Sequence, residues 1–155
     1  MGDRDGKQPE TAAETRAAYR AFRRIQTRWA DNDAYGHVNN MAYYGYFDTA
    51  VTEHLVLAGG HDYRNAGAIG LVVESMCRYF KPLAFPDRLD AGLRIGRLGR
   101  SSVRYEIALF REGEDDAAAA GHFVHVFVDR ATNRPTPVPP HIRAALEPLV
   151  VEGQG

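Results

Sequence analysis

The stretch that most constrains the fold is one helical segment followed by strand-like segments with no room between them for further long helices. Residues 40–57 place apolar side chains on one broad arc at helical spacing, and Gly59 and Gly60 follow as a stop signal. The predicted apolar arc consists of Tyr43, Tyr44, Phe47, Ala50, Val51, Leu55 and Ala58. Such an arc must be buried against a large apolar surface, which a sheet supplies.

Alternating apolar and polar residues predict one strand before this helix and four after it. The connections between the last three strands are too short for helical crossovers, so these strands are expected to pair antiparallel. The final strand is apolar on both faces, which predicts a place inside the sheet. The sequence therefore predicts an α+β domain in which an antiparallel sheet curls around the helix. The predicted strands cover residues 22–29, 71–80, 88–98, 101–111 and 117–129, and Pro139 and Pro140 predict a short helix over 141–147.

The composition excludes several classes of function. The 19 basic and 20 acidic residues give a formal net charge of −1, so there is no general attraction to nucleic acid or to an anionic membrane. No apolar run approaches the roughly 18 residues of a membrane span. The single cysteine, Cys77, cannot form an intrachain disulfide, and a cytoplasmic location is expected. Residues 1–20 read as a flexible tail and residues 21–150 as a single domain.

The loop before the helix concentrates the residues that can carry chemistry. It reads Asp31-Asn32-Asp33-Ala34-Tyr35-Gly36-His37-Val38-Asn39-Asn40. A carboxylate beside a helix start can act as a base or a nucleophile, while free backbone N–H groups hold a developing negative oxygen. Aspartate is also common in turns, so the residues alone leave structural and catalytic roles open for Asp31 and Asp33. Either Asn39 or Asn40 is expected to cap the helix.

This loop motif, followed by Tyr43 and a helix, resembles the hotdog-fold thioesterases of the 4-hydroxybenzoyl-CoA thioesterase family, in its Gly-His-Val-Asn-Asn subgroup. Weaker points of resemblance are Tyr79-Phe80-Lys81-Pro82, Asp87-x-Leu89 and Gly99-Arg100-Ser101-Ser102. The resemblance implies a hotdog fold, with a five-stranded antiparallel sheet wrapped around one long central helix. It also implies a homodimer or homotetramer whose active sites lie between subunits.

The resemblance further implies an acyl-CoA thioesterase that releases a free acid and CoA, with no metal and no organic cofactor. Asp33 matches the family's catalytic carboxylate, as general base on water or as nucleophile. The Asn40 backbone N–H matches the donor to the oxyanion, and His37 would orient the loop, contact substrate or assist proton transfer. Substrate contacts are expected from Tyr43, which would otherwise be core, and from Arg100, Ser101 and Ser102, which would otherwise form a solvated turn.

Three other functions remain open at this stage. A thioesterase acting on acyl carrier protein would carry a basic patch at the pocket mouth. A hotdog dehydratase or hydratase would need a histidine and an acid placed across the site. A non-catalytic acyl-CoA binding module would bind CoA esters without releasing a thiol.

Three further polar residues are expected to have structural roles. Glu74, on a mostly apolar strand face, is expected to be a buried partner of Arg78 or Arg104. His54 and His61 flank the helix end and are expected at the surface or as caps.

Overall fold

A computed structural model describes residues 14–151 and contains one five-stranded sheet. The strand order is β1-β3-β4-β5-β2, and every neighbouring pair is antiparallel. The internal position predicted for the last strand is confirmed, because β5 lies between β4 and β2. The elements are β1 Ala21–Gln26, α1 Asn40–Gly59, β2 Ala68–Tyr79, β3 Arg88–Leu98, β4 Ser102–Arg111, β5 Ala119–Asp129 and α2 Pro140–Leu146.

Both ends of α1 have the predicted capping residues. The Asn39 side chain accepts a hydrogen bond from the Met41 N–H at 3.0 Å, which satisfies one of the free donors at the helix start. Gly60 closes the helix in the left-handed conformation, with φ of 62°. Neither helix of residues 14–151 has the length and apolarity needed to cross a membrane.

The buried face of α1 is rotated slightly from the predicted arc. Tyr44 and Ala58 are exposed, whereas Tyr46 and His54 are buried. The buried positions follow the i, i+3, i+4, i+7 pattern of a helix lying on a surface, and positions 46 and 54 belong to that pattern. This face packs on the inward-facing residues of the sheet, including Leu89, Ile95, Ile107, Leu109 and Phe123.

The expectation that His54 and His61 lie at the surface is wrong, because a second helix covers them. His54 accepts from the Arg23 guanidinium at 3.0 Å and is 3.4 Å from the Ala145 carbonyl oxygen. The His61 and His141 rings are joined by a hydrogen bond of 2.9 Å. Burial, the first of several causes, lowers the pKa of His54 and of His61. The inner side of the sheet is therefore covered by α1 together with α2 rather than by one helix alone.

Residues before 21 also pack against the sheet. Tyr19 is buried with its ring edge against Phe110, and Arg16 forms an ion pair of 2.9 Å with Asp90. Residues 14–20 of the predicted tail thus pack on the outer face of the sheet, and residues 1–13 lie outside the described residues. At the other end of β1, the strand stops at Gln26, and Trp29–Asp31 form a short 3-10 turn instead of continuing it.

Alanine substitutions at two glycines test this packing, because they are expected to change the free energy of unfolding in opposite directions. A Cβ on Gly121 would collide with the Met76 carbonyl and lie 2.9 Å from the Phe47 ring, whereas a Cβ on Gly45 meets nothing within 4 Å. Gly121→Ala should lower the free energy of unfolding by about 1–3 kcal/mol through overpacking. Gly45→Ala, within α1, should raise it by about 0.5–1 kcal/mol. Urea denaturation measures both changes. A Gly121→Ala variant as stable as wild type, or a Gly45→Ala variant less stable than wild type, would contradict the described contacts.

Candidate active site

The loop between β1 and α1 is fastened to the segment just before β3. The Val38 N–H donates to the Leu83 carbonyl at 2.7 Å, and the Phe85 N–H donates to the Asn32 side chain at 3.0 Å. Gly36 has φ of 83°, a left-handed conformation that glycine adopts without strain. These contacts fix the path of the loop into the helix.

Asp31 anchors this loop to the helix. Its carboxylate is buried and accepts from the Tyr46 hydroxyl at 2.6 Å and from the Arg28 backbone N–H at 2.9 Å. The Arg28 guanidinium adds an ion pair of 2.9 Å. Burial alone would raise the pKa of Asp31, but the hydrogen bonds from Tyr46 and Arg28 outweigh it and lower the pKa below its ordinary value. The structural role left open for Asp31 is therefore confirmed.

Asp33 is half-buried and uses only one carboxylate oxygen within the loop. Its Oδ1 accepts from the Tyr35 N–H at 2.8 Å and, more weakly, from the His37 N–H at 3.4 Å. Its own N–H donates to the His37 carbonyl at 2.8 Å. Within residues 14–151, Oδ2 has no hydrogen-bond partner. The loop thus holds the carboxylate in one orientation while leaving one oxygen available.

The first residue of α1 offers a backbone donor at the end of the same loop. Asn39 provides acceptors for the Met41 and Ala42 N–H groups, but among the described residues no acceptor meets the Asn40 N–H. The Asn40 carbonyl is held by the Tyr79 hydroxyl at 3.3 Å. A free N–H at a helix N-terminus carries positive partial charge and favours a negative oxygen.

His37 and Tyr43 have different environments. His37 is exposed, at the end of the turn that Asp33 closes. Tyr43 is only 3% exposed, and its ring meets the edge of the Tyr79 ring at a centroid distance of 4.8 Å. Burial raises the pKa of Tyr43, so its hydroxyl stays protonated. The catalytic role given to His37 and the substrate contact given to Tyr43 stay predictions.

The turn between β3 and β4 lies far from the Asp33 loop within one protomer. Its backbone is tied to β5 and to the chain before α2, because Ser101 accepts from the Phe127 N–H at 2.7 Å and Arg100 accepts from the Val138 N–H at 2.8 Å. The Asp33 loop adjoins the start of β3 and the turn follows its end. The ten residue-to-residue steps along β3, at about 3.3 Å each, place the two regions about 33 Å apart. One protomer therefore does not bring all the predicted site residues together.

Glu74 is not the buried arginine partner that its strand pattern predicted. Its side chain is 59% exposed and lies 3.0 Å from the His122 ring nitrogen. The reason is that β2 is an edge strand, so this part of its outer face stays open to solvent. Within residues 14–151, no group of three His, Cys, Asp or Glu side chains converges as metal ligands would.

Sequence reasoning missed two tyrosines that support the loop. Tyr46 lies three residues after Tyr43, a helical spacing that would have placed it on the buried face. Tyr79 belongs to the Tyr79-Phe80-Lys81-Pro82 segment, but nothing in its strand alternation indicates a contact with Asn40 some 39 residues away.

Comparison with known proteins assigns the family. Residues 27–146 match the thioesterase-like superfamily. The structure is similar to that of a Pseudomonas aeruginosa strain PAO1 protein, with 54% sequence identity and a TM-score of 0.88 over 92% of this chain and 99% of that chain. A curated relative, the "Putative esterase" of Aquifex aeolicus (strain VF5), is 31% identical over 68% of this chain and 81% of its own.

A more distant neighbour shares the fold. The 1,4-dihydroxy-2-naphthoyl-CoA thioesterase from Synechocystis has a TM-score of 0.74 at 18% identity, over 81% of this chain and 93% of that chain. The chain therefore belongs to the thioesterase-like, or hotdog, superfamily. Its family supports a thioester hydrolase as its general class. Membership of the 4-hydroxybenzoyl-CoA branch stays a prediction.

The Asp31 anchor predicts a pH-dependent loss of stability. Tyr46→Phe removes the hydroxyl that donates to a buried carboxylate, so near pH 7 it should lower the free energy of unfolding by about 1.5–3 kcal/mol. Because the folded-state pKa of Asp31 is depressed, its stabilisation is present above the ordinary pKa of 3.8 and is lost as the pH falls through the folded-state value. Urea denaturation from about pH 7 down to pH 2.5 should therefore show the difference between Tyr46→Phe and wild type shrinking.

Tyr44→Phe is the matched control, because Tyr44 is an exposed tyrosine of the same helix. It should leave stability unchanged at every pH. A Tyr46→Phe loss that is equal at both ends of the pH range would contradict the anchoring role of the Asp31 carboxylate.

Proposed function

We propose that this chain hydrolyses acyl-CoA thioesters to a free acid and CoA, with Asp33 as general base or nucleophile and the Asn40 backbone N–H as oxyanion donor. One observation carries the proposal. Among residues 14–151, the loop that enters α1 carries a carboxylate with one available oxygen, and the first N–H of the helix that follows it has no acceptor. Membership of the thioesterase-like superfamily supports the reaction class.

The chemistry follows from these two groups. A thioester carbonyl is a reactive acyl donor, because sulfur donates poorly into it. Asp33 takes a proton from water as the water oxygen bonds to the carbonyl carbon, and the Asn40 N–H holds the resulting oxyanion. Collapse of the tetrahedral species reforms the carbonyl and expels the CoA thiolate. In the nucleophilic variant, Asp33 itself attacks, and water then hydrolyses the mixed anhydride.

The proposal includes a second copy of the chain along β2. This strand has twelve residues and forms an edge of the sheet, with Leu71, Val72 and Val73 exposed by 44%, 55% and 62%. A long apolar edge strand is a template for pairing with another chain. Self-complementary pairing about a two-fold axis joins the two β2 edges antiparallel, which sets the Ala68 end of one beside the Tyr79 end of the other.

This pairing would bring the two halves of the predicted site together. Tyr79 contacts Asn40, so the Asp33 loop lies at the end of β2 that the partner's Ala68 adjoins. The partner's β3–β4 turn lies at that same end, because Ser101 bonds to Phe127, which pairs with Gly70 near the start of β2. Crossing two or three strands at about 4.8 Å each spans roughly 10–15 Å, against about 33 Å within one protomer.

The partner subunit's Arg100, Ser101 and Ser102 would then meet the CoA phosphates. A guanidinium, two hydroxyls and turn N–H groups suit phosphate oxygens. A homodimer, or a tetramer built from two of them, follows as the working assembly. A cytoplasmic location belongs to the same proposal, since CoA esters are soluble metabolic substrates and Cys77 is a free thiol.

Asp33→Asn tests the carboxylate directly. Asparagine keeps the Oδ1 acceptor that shapes the loop but removes the base, so the variant should fold normally and lose at least about a hundredfold in kcat. A panel of acyl-CoAs with detection of the released thiol measures this. Asp48→Asn, an exposed acid on α1, is the control and should retain wild-type turnover. Equal turnover in wild type and Asp33→Asn would remove Asp33 from the mechanism.

Charge on the β2 edge tests the assembly. Replacing Val72 and Val73 together by Lys should prevent edge pairing, giving a particle of the chain mass of 17.2 kDa and little thioesterase activity. Light scattering after size-exclusion chromatography measures the mass. Val56→Lys with Leu57→Lys, an exposed apolar pair on α1, should leave both mass and activity unchanged. A monomeric wild type, or an unchanged mass in the β2 variant, would contradict the pairing.

A further inference from the structure

A cavity of about 250 Å³ lies on the outer face of the sheet, on the side away from α1. Small residues of β5, Ala120 and Gly121, form part of its floor. Apolar parts of its wall come from Tyr19, Met76 and Phe80. The cavity contains no residue of the Asp33 loop, so the proposed hydrolysis does not use it.

A row of charged residues crosses this floor. Arg94 is the register partner of Glu106 on the adjacent strand. The Glu106 carboxylate accepts from Arg94 at 2.7 Å and from Arg104 at 2.9 Å, and its side chain is 9% exposed. Burial opposes ionisation, but the hydrogen bonds from the two arginines dominate and lower the pKa of Glu106. Glu106 is therefore charged, and both arginines are held in place by it.

The hydrogen bonds of His122 assign the roles of its two ring nitrogens. The Arg104 guanidinium, which can only donate, lies 3.2 Å from His122 Nδ1, so Nδ1 accepts and bears no proton. Nε2 therefore carries the ring proton and donates to Glu74 at 3.0 Å. His122 is thus held between Arg104 and Glu74, and the Glu74 carboxylate turns outward to solvent.

The cavity walls carry one more positive charge than negative. Three guanidinium groups face two carboxylates, those of Glu14 and Glu106. Arg94 and Arg104 are engaged with these acids and with His122. Within residues 14–151, Arg78 has neither an ion-pair nor a side-chain hydrogen-bond partner, although it stands beside the apolar Met76 and Phe80. An unmatched guanidinium next to apolar surface suits a guest with one negative charge and an apolar body.

We propose that this outer-face cavity binds a small organic monocarboxylate, with its carboxylate on Arg78 and its apolar part against Tyr19 and Phe80. A single negative charge balances the surplus positive charge. A phosphate dianion would add a second charge that the two wall carboxylates repel. The volume lies just below the roughly 300 Å³ at which pockets for drug-sized ligands begin, so the guest is about the size of an aromatic acid.

Methyl NMR with benzoate as the probe tests this site. The chain has three methionines, so a protein labelled at the methionine methyl groups gives three assignable signals. Met76 lines the cavity, whereas Met41 lies at the N-terminus of α1 beside the Asp33 loop. Benzoate should shift the Met76 signal in a saturable way while leaving Met41 in place, and Met76→Leu assigns the signal.

Arginine variants then locate the carboxylate. Arg78→Ala should weaken the benzoate response of Met76 by about tenfold, the size of one lost charge-assisted hydrogen bond. Arg88→Ala, an exposed arginine on β3 outside the cavity, should bind benzoate as wild type does. Phenyl phosphate, a dianion near pH 8, should bind more weakly than benzoate.

Four results would overturn the assignment. They are an unmoved Met76 signal, a shift of Met41 alone, equal binding by Arg78→Ala and wild type, and tighter binding of phenyl phosphate than of benzoate. None of them bears on thioester hydrolysis, which is read out separately by thiol release.

Discussion

The hydrogen bond from the Tyr46 hydroxyl to the buried Asp31 carboxylate is the contact on which the candidate site depends. It joins the loop to the second turn of α1, and the same carboxylate accepts from the backbone N–H of Arg28 at the other end of the loop. A charged group this deeply buried is stable only when several donors meet it. Once Asp31 is fixed, its carbonyl accepts from Asn39 and sets the start of the helix. The orientation of Asp33 and of the Asn40 N–H follows from that anchor.

The two aspartates of the loop, Asp31 and Asp33, therefore differ in how their carboxylates are hydrogen-bonded. Both carboxylate oxygens of Asp31 accept hydrogen bonds inside the protein, and these bonds lower its pKa. One oxygen of Asp33 accepts the hydrogen bonds of the turn, and among residues 14–151 the other has no partner. The proposed function uses this division: one acid of the D-x-D loop holds the geometry, which leaves the other free for the proposed chemistry.

Strand positions could be predicted from the sequence, because the alternation of apolar and polar residues along a strand is a local feature. The strand predicted over 88–98 is β3 as observed, since Leu89, Leu93 and Ile95 alternate cleanly with polar or small residues. Burial that depends on distant segments could not be predicted. His61 is covered by His141, eighty residues further along the chain, and no local signal announces that contact.

The candidate site shows the same limit. The loop motif placed Asp33 and Asn40 together because they are neighbours in sequence. It could not place Arg100 relative to them, because that relation depends on strand register and, in the proposed dimer, on a second chain. The length of β3 separates the two regions within one protomer. In the proposed dimer, a complete site therefore depends on contacts between chains that no local sequence pattern specifies.

Subunit mixing tests this account most directly. Asp33→Asn and Arg100→Glu each inactivate a different half of the proposed site, and the two proteins are co-expressed with different tags so that mixed dimers form. If each site combines the loop of one chain with the turn of its partner, half of the sites in every mixed dimer are intact. Random pairing should then restore about a quarter of wild-type thiol release, from parents that are each nearly inactive. A mixture no more active than its parents would show that the loop and the turn do not meet across the subunits.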